Sequence, residues 1–378
     1  MKVAIMTIND YLNYGNRLQN YAVQEVLKKL GAEPTTIINT TKHKNIDRNE
    51  YSVNKYIKKL NDIGINGIMR KVIFKVKRID EEKLKSQKKN NFKKFSKLYI
   101  NESEFEIDMN NIPTEIGRHF EYFITGSDQV WNPNFIRFSE LDFLTFVPEE
   151  KRIAYAPSFG VSSIPADYKE DFKKWIGGMN SLSVREDAGA KLIKDLTGRT
   201  AEVLVDPTIM ISRENWLNIS RVSPLKPKNA YLCTYFLGDT YEAHKNSIFQ
   251  IAKSKNLEVV NLGNLYDVDK YSIDPSEFLD FIASSELFMT DSFHGAIFSI
   301  IFERPFIVFD RVGKLPSMNS RIDTLLTKFN LMDRKWESVK QSQDYFGADF
   351  SHTGPIFEYE RSKAYSYLKN ALDIEGGI

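Results

Sequence analysis

A chain of 378 residues is longer than one hydrophobic core normally organises, roughly 250–300 residues, so two lobes are expected. Apolar residues make up 42% and charged residues 27%, which excludes a disordered polymer, and a net charge of +2 excludes a polycation built for nucleic acid. The lone cysteine, Cys233, rules out an intramolecular disulfide and a thiolate metal cage and points to a reducing compartment.

The apolar start Met1–Ile8 is too short for a signal segment and turns polar at Asn9-Asp10. No stretch approaches the roughly 20 apolar residues needed to span a bilayer. The expectation is a cytoplasmic protein, with peripheral contact at the inner membrane face left open.

Along the chain, short apolar runs alternate with amphipathic stretches, the pattern of parallel βαβ units. Val3–Ile8 reads as a strand, followed by the polar loop Asn9 to Gly15 and a helix whose Leu18, Ala22, Val26 and Leu30 share a face. Gly31 supplies the stop. Thr36–Ile38 reads as the next strand. Residues from about 41 to 117 then break the pattern and read as an insertion carrying one or two helices. Between Arg70 and Lys97 twelve Lys/Arg face only Asp80, Glu81 and Glu82, a local net charge of +9. Such a run is either a solvated helical face or a surface drawn to an anionic membrane or a pyrophosphate-linked lipid.

Alternation resumes with strands at Tyr122–Thr125, Arg152–Ala156, Leu182–Val184 and Val203–Val205, each opening into a polar loop at the same end. The Pro- and Lys-rich segment Ser223–Asn229 marks a boundary. Beyond it, strands are expected at Tyr231–Phe236, Glu258–Leu262, Leu287–Met289 and Phe306–Phe309, with helices near 240–254, 276–284, 294–302 and 320–329. The fold class is therefore α/β, with two Rossmann-like doubly wound lobes, 1–222 and 223–378, facing across a cleft. Residues 358–372 read as a closing helix that packs back on the first lobe.

In such sheets ligands bind beyond the carboxyl ends of the strands. Asp291-Ser292-Phe293-His294-Gly295 occupies such an end, and His294 there is either an acid/base or a helix-capping residue. Asp291 either orients His294 or caps the helix. Asn13, Tyr14, Gly15 and Asn16 open the first helix, where backbone N–H groups can meet an anion or a sugar hydroxyl. The absence of GxGxxG there argues against a bound dinucleotide. Ser127, Asp128 and Gln129 can grip a sugar with Trp131 stacked on its apolar face; equally, Asp128 can cap a helix and Trp131 can fill core. Arg185 reads as an anion-binding residue or as the partner of Glu186 or Asp187, and Asp206 before Pro207 as a turn residue. His43, His119, His244 and His352 lack metal-ligand spacing with one another or with Cys233, so no metal is expected.

Six ordered segments carry a resemblance: Asn13-Tyr14-Gly15-Asn16-Arg17-Leu18-Gln19-Asn20-Tyr21-Ala22, Gly126-Ser127-Asp128-Gln129-Val130-Trp131-Asn132, Ala154-Tyr155-Ala156-Pro157-Ser158-Phe159-Gly160, Ser183-Val184-Arg185-Glu186, Asp206-Pro207-Thr208 and Asp291-Ser292-Phe293-His294-Gly295. Together they span about 280 residues, and the chain resembles the polysaccharide pyruvyl transferase family, whose members have a fold like GT-B glycosyltransferases. The resemblance implies transfer of a pyruvyl unit from phosphoenolpyruvate, a substrate rather than a cofactor, to a sugar acceptor, with lipid-linked oligosaccharides among the candidates. By it His294 is the acid/base or phosphate-side residue, assisted by Asp291, while Arg185, Ser292, Gly295 and Arg321 lie on the donor side. Asn13, Tyr14, Asn16, Arg17, Ser127, Asp128, Gln129 and Trp131 lie on the acceptor side. Many relatives have Arg two positions before the His, where this chain has Ser292; Arg17, Arg321 or a lysine would then supply the missing charge, or the donor is held differently. Two other functions fit the same sequence: a GT-B glycosyltransferase using a nucleotide sugar, and a non-catalytic component of a polysaccharide assembly complex.

Overall fold

A computed structural model describes residues 1–41, 80–238, 240–265, 267–311 and 319–374. Among them, two sheets form, and all pairings between their strands are parallel. The first takes β1 (Lys2–Met6), β2 (Glu33–Asn39), β3 (Glu102–Ile107), β4 (Tyr122–Thr125), β5 (Arg152–Ala154), β6 (Ser181–Val184) and β7 (Glu202–Val203) in the order β3-β2-β1-β4-β5-β6-β7. The second takes β8 (Tyr231–Tyr235), β9 (Glu258–Asn261), β10 (Leu287–Thr290) and β11 (Phe306–Val308) in the order β11-β10-β8-β9. The two Rossmann-like lobes read from the sequence are thus present. Strand order reverses between β1 and β4 in one sheet and between β8 and β10 in the other, and those switch points are where a parallel sheet opens a ligand crevice.

Central strands are buried on both faces and read as continuous apolar runs, as in Lys2-Val3-Ala4-Ile5-Met6, where only Lys2 is exposed. Edge strand β3 differs. It lies inside the segment expected to be an insertion, and it alternates Glu102, Glu104 and Glu106 outward with Ser103, Phe105 and Ile107 inward. Charges on an edge strand discourage pairing with another chain, and here they also hide the strand from an apolar-run reading. The insertion is correspondingly shorter than 41–117. Its residues 42–79, including the basic run 70–79, lie outside the described residues.

The helices that bear on the site are α1 (Tyr14–Lys29), α2 (Glu81–Tyr99), α3 (Pro207–Met210), α4 (Arg213–Ile219), α5 (Pro275–Ala283), α6 (Phe293–Phe302), α7 (Asn319–Lys328) and α8 (Thr353–Ala371). Helix α1 is held to β2 and β3 by buried amides: Gln24 Nε2 donates to Thr36 Oγ1 (2.9 Å) and to Asn101 O (2.8 Å), and Thr36 Oγ1 to Asn20 Oδ1 (2.7 Å). These bonds offset the cost of burying the groups that make them. The segment between α4 and β8 is tied to α5, with Lys226 Nζ 2.8 Å from Asp280 Oδ1 and Ser223 N donating to Asp280 Oδ2.

The lobes share apolar core. Tyr14 of α1 stacks on Phe278 of α5 with centroids 4.2 Å apart and meets Tyr235 edge-on at 5.5 Å. Helix α8 returns to the first sheet, where Tyr367 Oη donates to Ala154 O (2.7 Å) and Lys363 Nζ to Val203 O (3.0 Å). No helix among the described residues is long and apolar enough to cross a membrane.

Candidate functional site

The two switch points meet at His294. Ser292 caps α6 by accepting from Gly295 N (3.3 Å), which aims the first turn of α6, with Phe293 and His294, at the other lobe. There Gly15, in the first turn of α1, lies against the imidazole: a Cβ at Gly15 would stand 2.1 Å from His294 Nδ1. The Asn-Tyr-Gly-Asn segment thus requires glycine for the close approach of a side chain from the second lobe.

His294 Nε2 points to Asp206 Oδ2 at 3.6 Å and makes no hydrogen bond. Asp206 ends the first-lobe stretch after β7 and is a hub. Its Oδ1 accepts from Thr208 N (3.0 Å) and Thr208 Oγ1 (2.7 Å), capping α3; its Oδ2 accepts from Arg185 Nη1 at 2.7 Å, with Ser127 Oγ at 3.0 Å. Burial alone would raise the Asp206 carboxyl, but His294 and Arg185 overcome it and hold the group well below the usual carboxylate range. Asp206 is therefore both the turn residue expected and the carboxylate facing the histidine.

Arg185 is buried and pairs with Asp206 rather than with Glu186 or Asp187. Its guanidinium carbon lies 4.4 Å from the centre of the Phe293 ring, and Arg321 of α7 approaches the same ring at 5.6 Å. Arg185 Nε and Nη2 make no hydrogen bond, Nη2 lying 3.8 Å from Asp128 Oδ1. Burial, together with the like charge of Arg185, brings the Arg321 guanidinium down to about 9. Two buried guanidiniums acting on one another at a cleft form a place where an arriving anion is favoured.

On the β4 side, Asp128 has a φ of 63° and accepts from Gln129 N (2.8 Å) and Asn16 Nδ2 (3.3 Å). Burial would raise its carboxyl too, but His294, Arg185 and Arg321 lower it. The Gln129 amide ends 3.2 Å from both terminal nitrogens of Arg321, an arrangement satisfied with the amide oxygen facing the guanidinium. Gly160 leaves room for that amide, since a Cβ there would stand 2.0 Å from its other terminal atom. His294, Arg185, Arg321, Asn16, Ser127, Asp128 and Gln129, read as site residues from sequence, are thus brought together, while Asn13 caps α1 nearby by accepting from Asn16 N.

Other expected site residues are used by the fold. Tyr14 is buried between the lobes and donates to Ile273 O (3.2 Å), so it offers no face to an acceptor. Arg17 pairs with Glu102 (2.8 Å) and donates to Ile8 O (2.9 Å), so it does not replace the missing donor-side arginine. Trp131 stacks on Phe143 at 5.0 Å and donates to Asp142 O, wholly enclosed, so it cannot stack on a sugar. Asp291 accepts from Leu237 N (2.7 Å) and Gly238 N (2.8 Å), joining the loops after β8 and β10; it does not orient His294. Ser292 serves as the cap, and Gly295 lets α6 lie close to Thr290 and Phe288. Arg311, not anticipated from sequence, lies three residues beyond β11, its Nη2 donating to Asp291 O (3.2 Å), and acts electrostatically on Arg321. Its signal was only its place at a strand's carboxyl end. Among the described residues, no group of three or more His, Cys, Asp or Glu side chains is arranged to hold a metal ion.

No curated protein matches the sequence. Solved structures with the same overall fold include the following two. A putative UDP-N-acetylglucosamine 2-epimerase from Listeria monocytogenes is 11% identical, with 100% of this chain and 98% of that one covered and a TM-score of 0.51. A UDP-GlcNAc 2-epimerase from Methanocaldococcus jannaschii is 10% identical, with 97% and 99% covered and a TM-score of 0.51. The fold is accordingly GT-B-like. The family model for polysaccharide pyruvyl transferase matches residues 13–311, a range that holds Gly15, Asp128, Arg185, Asp206 and His294. The chain belongs to the polysaccharide pyruvyl transferase family.

Proposed function

We propose that the protein transfers a pyruvyl group from phosphoenolpyruvate to a pair of hydroxyls on a sugar acceptor, closing a ketal, during assembly of a cell-surface polysaccharide. One observation carries the donor assignment: Arg185, buried and paired to Asp206 through one nitrogen, keeps Nε and Nη2 without hydrogen bonds, and Arg321 approaches the same Phe293 ring. A carboxylate and a phosphate on one small molecule suit two guanidiniums. Arg321 takes the part of the arginine that Ser292 replaces. The donor then lies between the lobes, on Arg185 of the first and Arg321 of the second, while Asn16, Asp128 and Gln129 of the first lobe form the acceptor side.

The chemistry balances without a cofactor. A proton adds to the methylene carbon, leaving an oxocarbenium-like centre at C2, and the first sugar hydroxyl attacks that centre and loses its proton. The bond from C2 to the phosphate oxygen then breaks, and the second hydroxyl closes the ketal. Of the two hydroxyl protons, one balances the new methyl group and the other leaves with phosphate. His294 is the group that delivers and removes protons, and the ionised carboxylate of Asp206 faces its Nε2 at 3.6 Å.

Incubation with phosphoenolpyruvate and a panel of lipid-linked and aryl glycosides should release phosphate and add the mass of a pyruvyl ketal. His294→Ala should lower both by about 100- to 10,000-fold. Thermal stabilisation by UDP- or GDP-sugars but not by phosphoenolpyruvate, with no transfer across the panel, would instead identify a glycosyltransferase. Full biological activity in the His294→Ala protein would identify a non-catalytic component.

A further inference from the structure

Helix α2 separates two kinds of lysine. From position 83 to position 101 the chain contains seven lysines and no acidic residue. Lys88 is turned inward with Leu84, Phe92 and Phe95, its Nζ 4.4 Å from the centre of the Tyr14 ring and 4.8 Å from that of Tyr271. The other six, Lys83, Lys85, Lys89, Lys93, Lys94 and Lys97, are exposed. Lys85 is offset by Glu81 at 2.7 Å. Lys89, Lys93 and Lys97 recur every four residues, and Lys94 lies beside them, so they share the side of the helix opposite the buried stripe. Leu98 at the end of this face is 75% exposed.

This face is carried on a fixed support. Phe92 and Phe95 are in the interlobe core, and Asn91 Nδ2 donates to Ser272 O of the second lobe at 2.7 Å. It also borders the site: Lys93 Nζ lies 5.7 Å from the centre of the Tyr11 ring, in the loop after β1 that leads to Asn13 and Gly15. A planar anionic surface laid on α2 would therefore adjoin the mouth of the cleft.

We propose that the Lys89–Lys97 face of α2 docks the protein on an anionic phospholipid bilayer and so presents the cleft to acceptors carried on lipid. The inference rests on the pyruvyl transfer reading only for the identity of that acceptor. The attraction is additive over lysines near the surface, falls within a Debye length and weakens with salt, and Leu98 adds apolar contact at the interface.

The full chain should co-sediment with vesicles of phosphatidylcholine and phosphatidylglycerol and not with vesicles of phosphatidylcholine alone, and added salt should release it. The triple variant Lys89→Gln, Lys94→Gln, Lys97→Gln should lose vesicle affinity by on the order of 100-fold at unchanged melting temperature. Its transfer to a water-soluble aryl glycoside should be unchanged, while transfer to a vesicle-borne lipid-linked glycoside should fall with the binding. Equal binding to both vesicle types, salt-insensitive binding, or undiminished binding by the triple variant overturns the proposal. So does retention on a soluble anionic polysaccharide without vesicle binding. Absence of transfer to any acceptor counts against pyruvyl transfer and leaves the vesicle result to decide the docking face.

Discussion

Arg17 and Arg185 are both buried arginines in segments shared with the family, yet they lie in regions of opposite character. Around Arg17 each guanidinium nitrogen is met: Glu102 at 2.8 Å, Ile8 O at 2.9 Å, Asn9 Oδ1 at 3.2 Å and Asn16 Oδ1 at 2.9 Å from Nη2 and 3.3 Å from Nε. Around Arg185 there is one short bond, an aromatic face and two nitrogens without hydrogen bonds. Burial and motif membership are the same in both regions. Unmet hydrogen-bonding capacity is what distinguishes them.

The largest expected effect comes from exchanging the two. Arg185→Met should lower phosphate release from phosphoenolpyruvate by about 100- to 1,000-fold as a preorganised cation is lost, and should cost less unfolding free energy than Arg17→Met, because Asp206 keeps Thr208, Ser127 and the facing His294 and a repelling neighbour of Arg321 is removed. Arg17→Met should instead cost about 3–5 kcal/mol in urea unfolding, since Glu102 and the Ile8 carbonyl lose their partner in a buried site. Equal stability losses with retained turnover in the Arg185 variant would erase the distinction.

The same contrast holds for two carboxylates. Asp291 is saturated by two loop amides and Arg311, whereas Asp206 is shared between a helix cap, Arg185 and the facing His294. Asp291→Asn should cost about 1–3 kcal/mol as the loops after β8 and β10 come apart, with turnover largely kept well below the melting temperature. Asp206→Asn should lower turnover by about 10- to 100-fold. Because the folded state depresses the Asp206 carboxyl, its stabilising contribution is complete above the usual value of 3.8 and is lost as pH falls through the folded value. Urea unfolding at acid pH should therefore show a shallower loss of stability in Asp206→Asn than in the wild-type protein.

The contrast also explains what could be read in advance. Buried parallel strands announce themselves as Val/Ile/Phe runs, so most strands could be placed from pattern; β3, written in glutamates, could not. His294, Arg185 and the Ser127–Gln129 turn were legible because charged and polar residues at strand ends have few structural uses. Asp291 lies three residues from His294 in sequence, but the carboxylate that faces the imidazole comes from the other lobe, and local spacing carries no information about that approach. Tyr14 and Trp131 show the converse limit: an aromatic residue in a loop motif is written identically whether it stacks on a ligand or on Phe278 and Phe143.

Trp131 allows a smaller and sharper test of that last distinction. Its indole nitrogen donates to the carbonyl of Asp142, whose own carboxylate accepts from Ser139 N inside the same aromatic cluster, and burial pushes the Asp142 carboxyl up to about 7. The folded state then holds a proton that the unfolded chain gives up near 3.8, so stability falls as pH rises between those values and stays reduced above about 7. Asp142→Asn keeps the acceptor for Ser139 N without the charge. It should match the wild-type protein near pH 4, exceed its unfolding free energy by on the order of 1–3 kcal/mol at pH 8, and leave transfer to sugar acceptors unchanged. A variant whose stability gain came with weakened acceptor binding would return Trp131 to the cleft and move the boundary between supporting core and binding surface drawn through this loop.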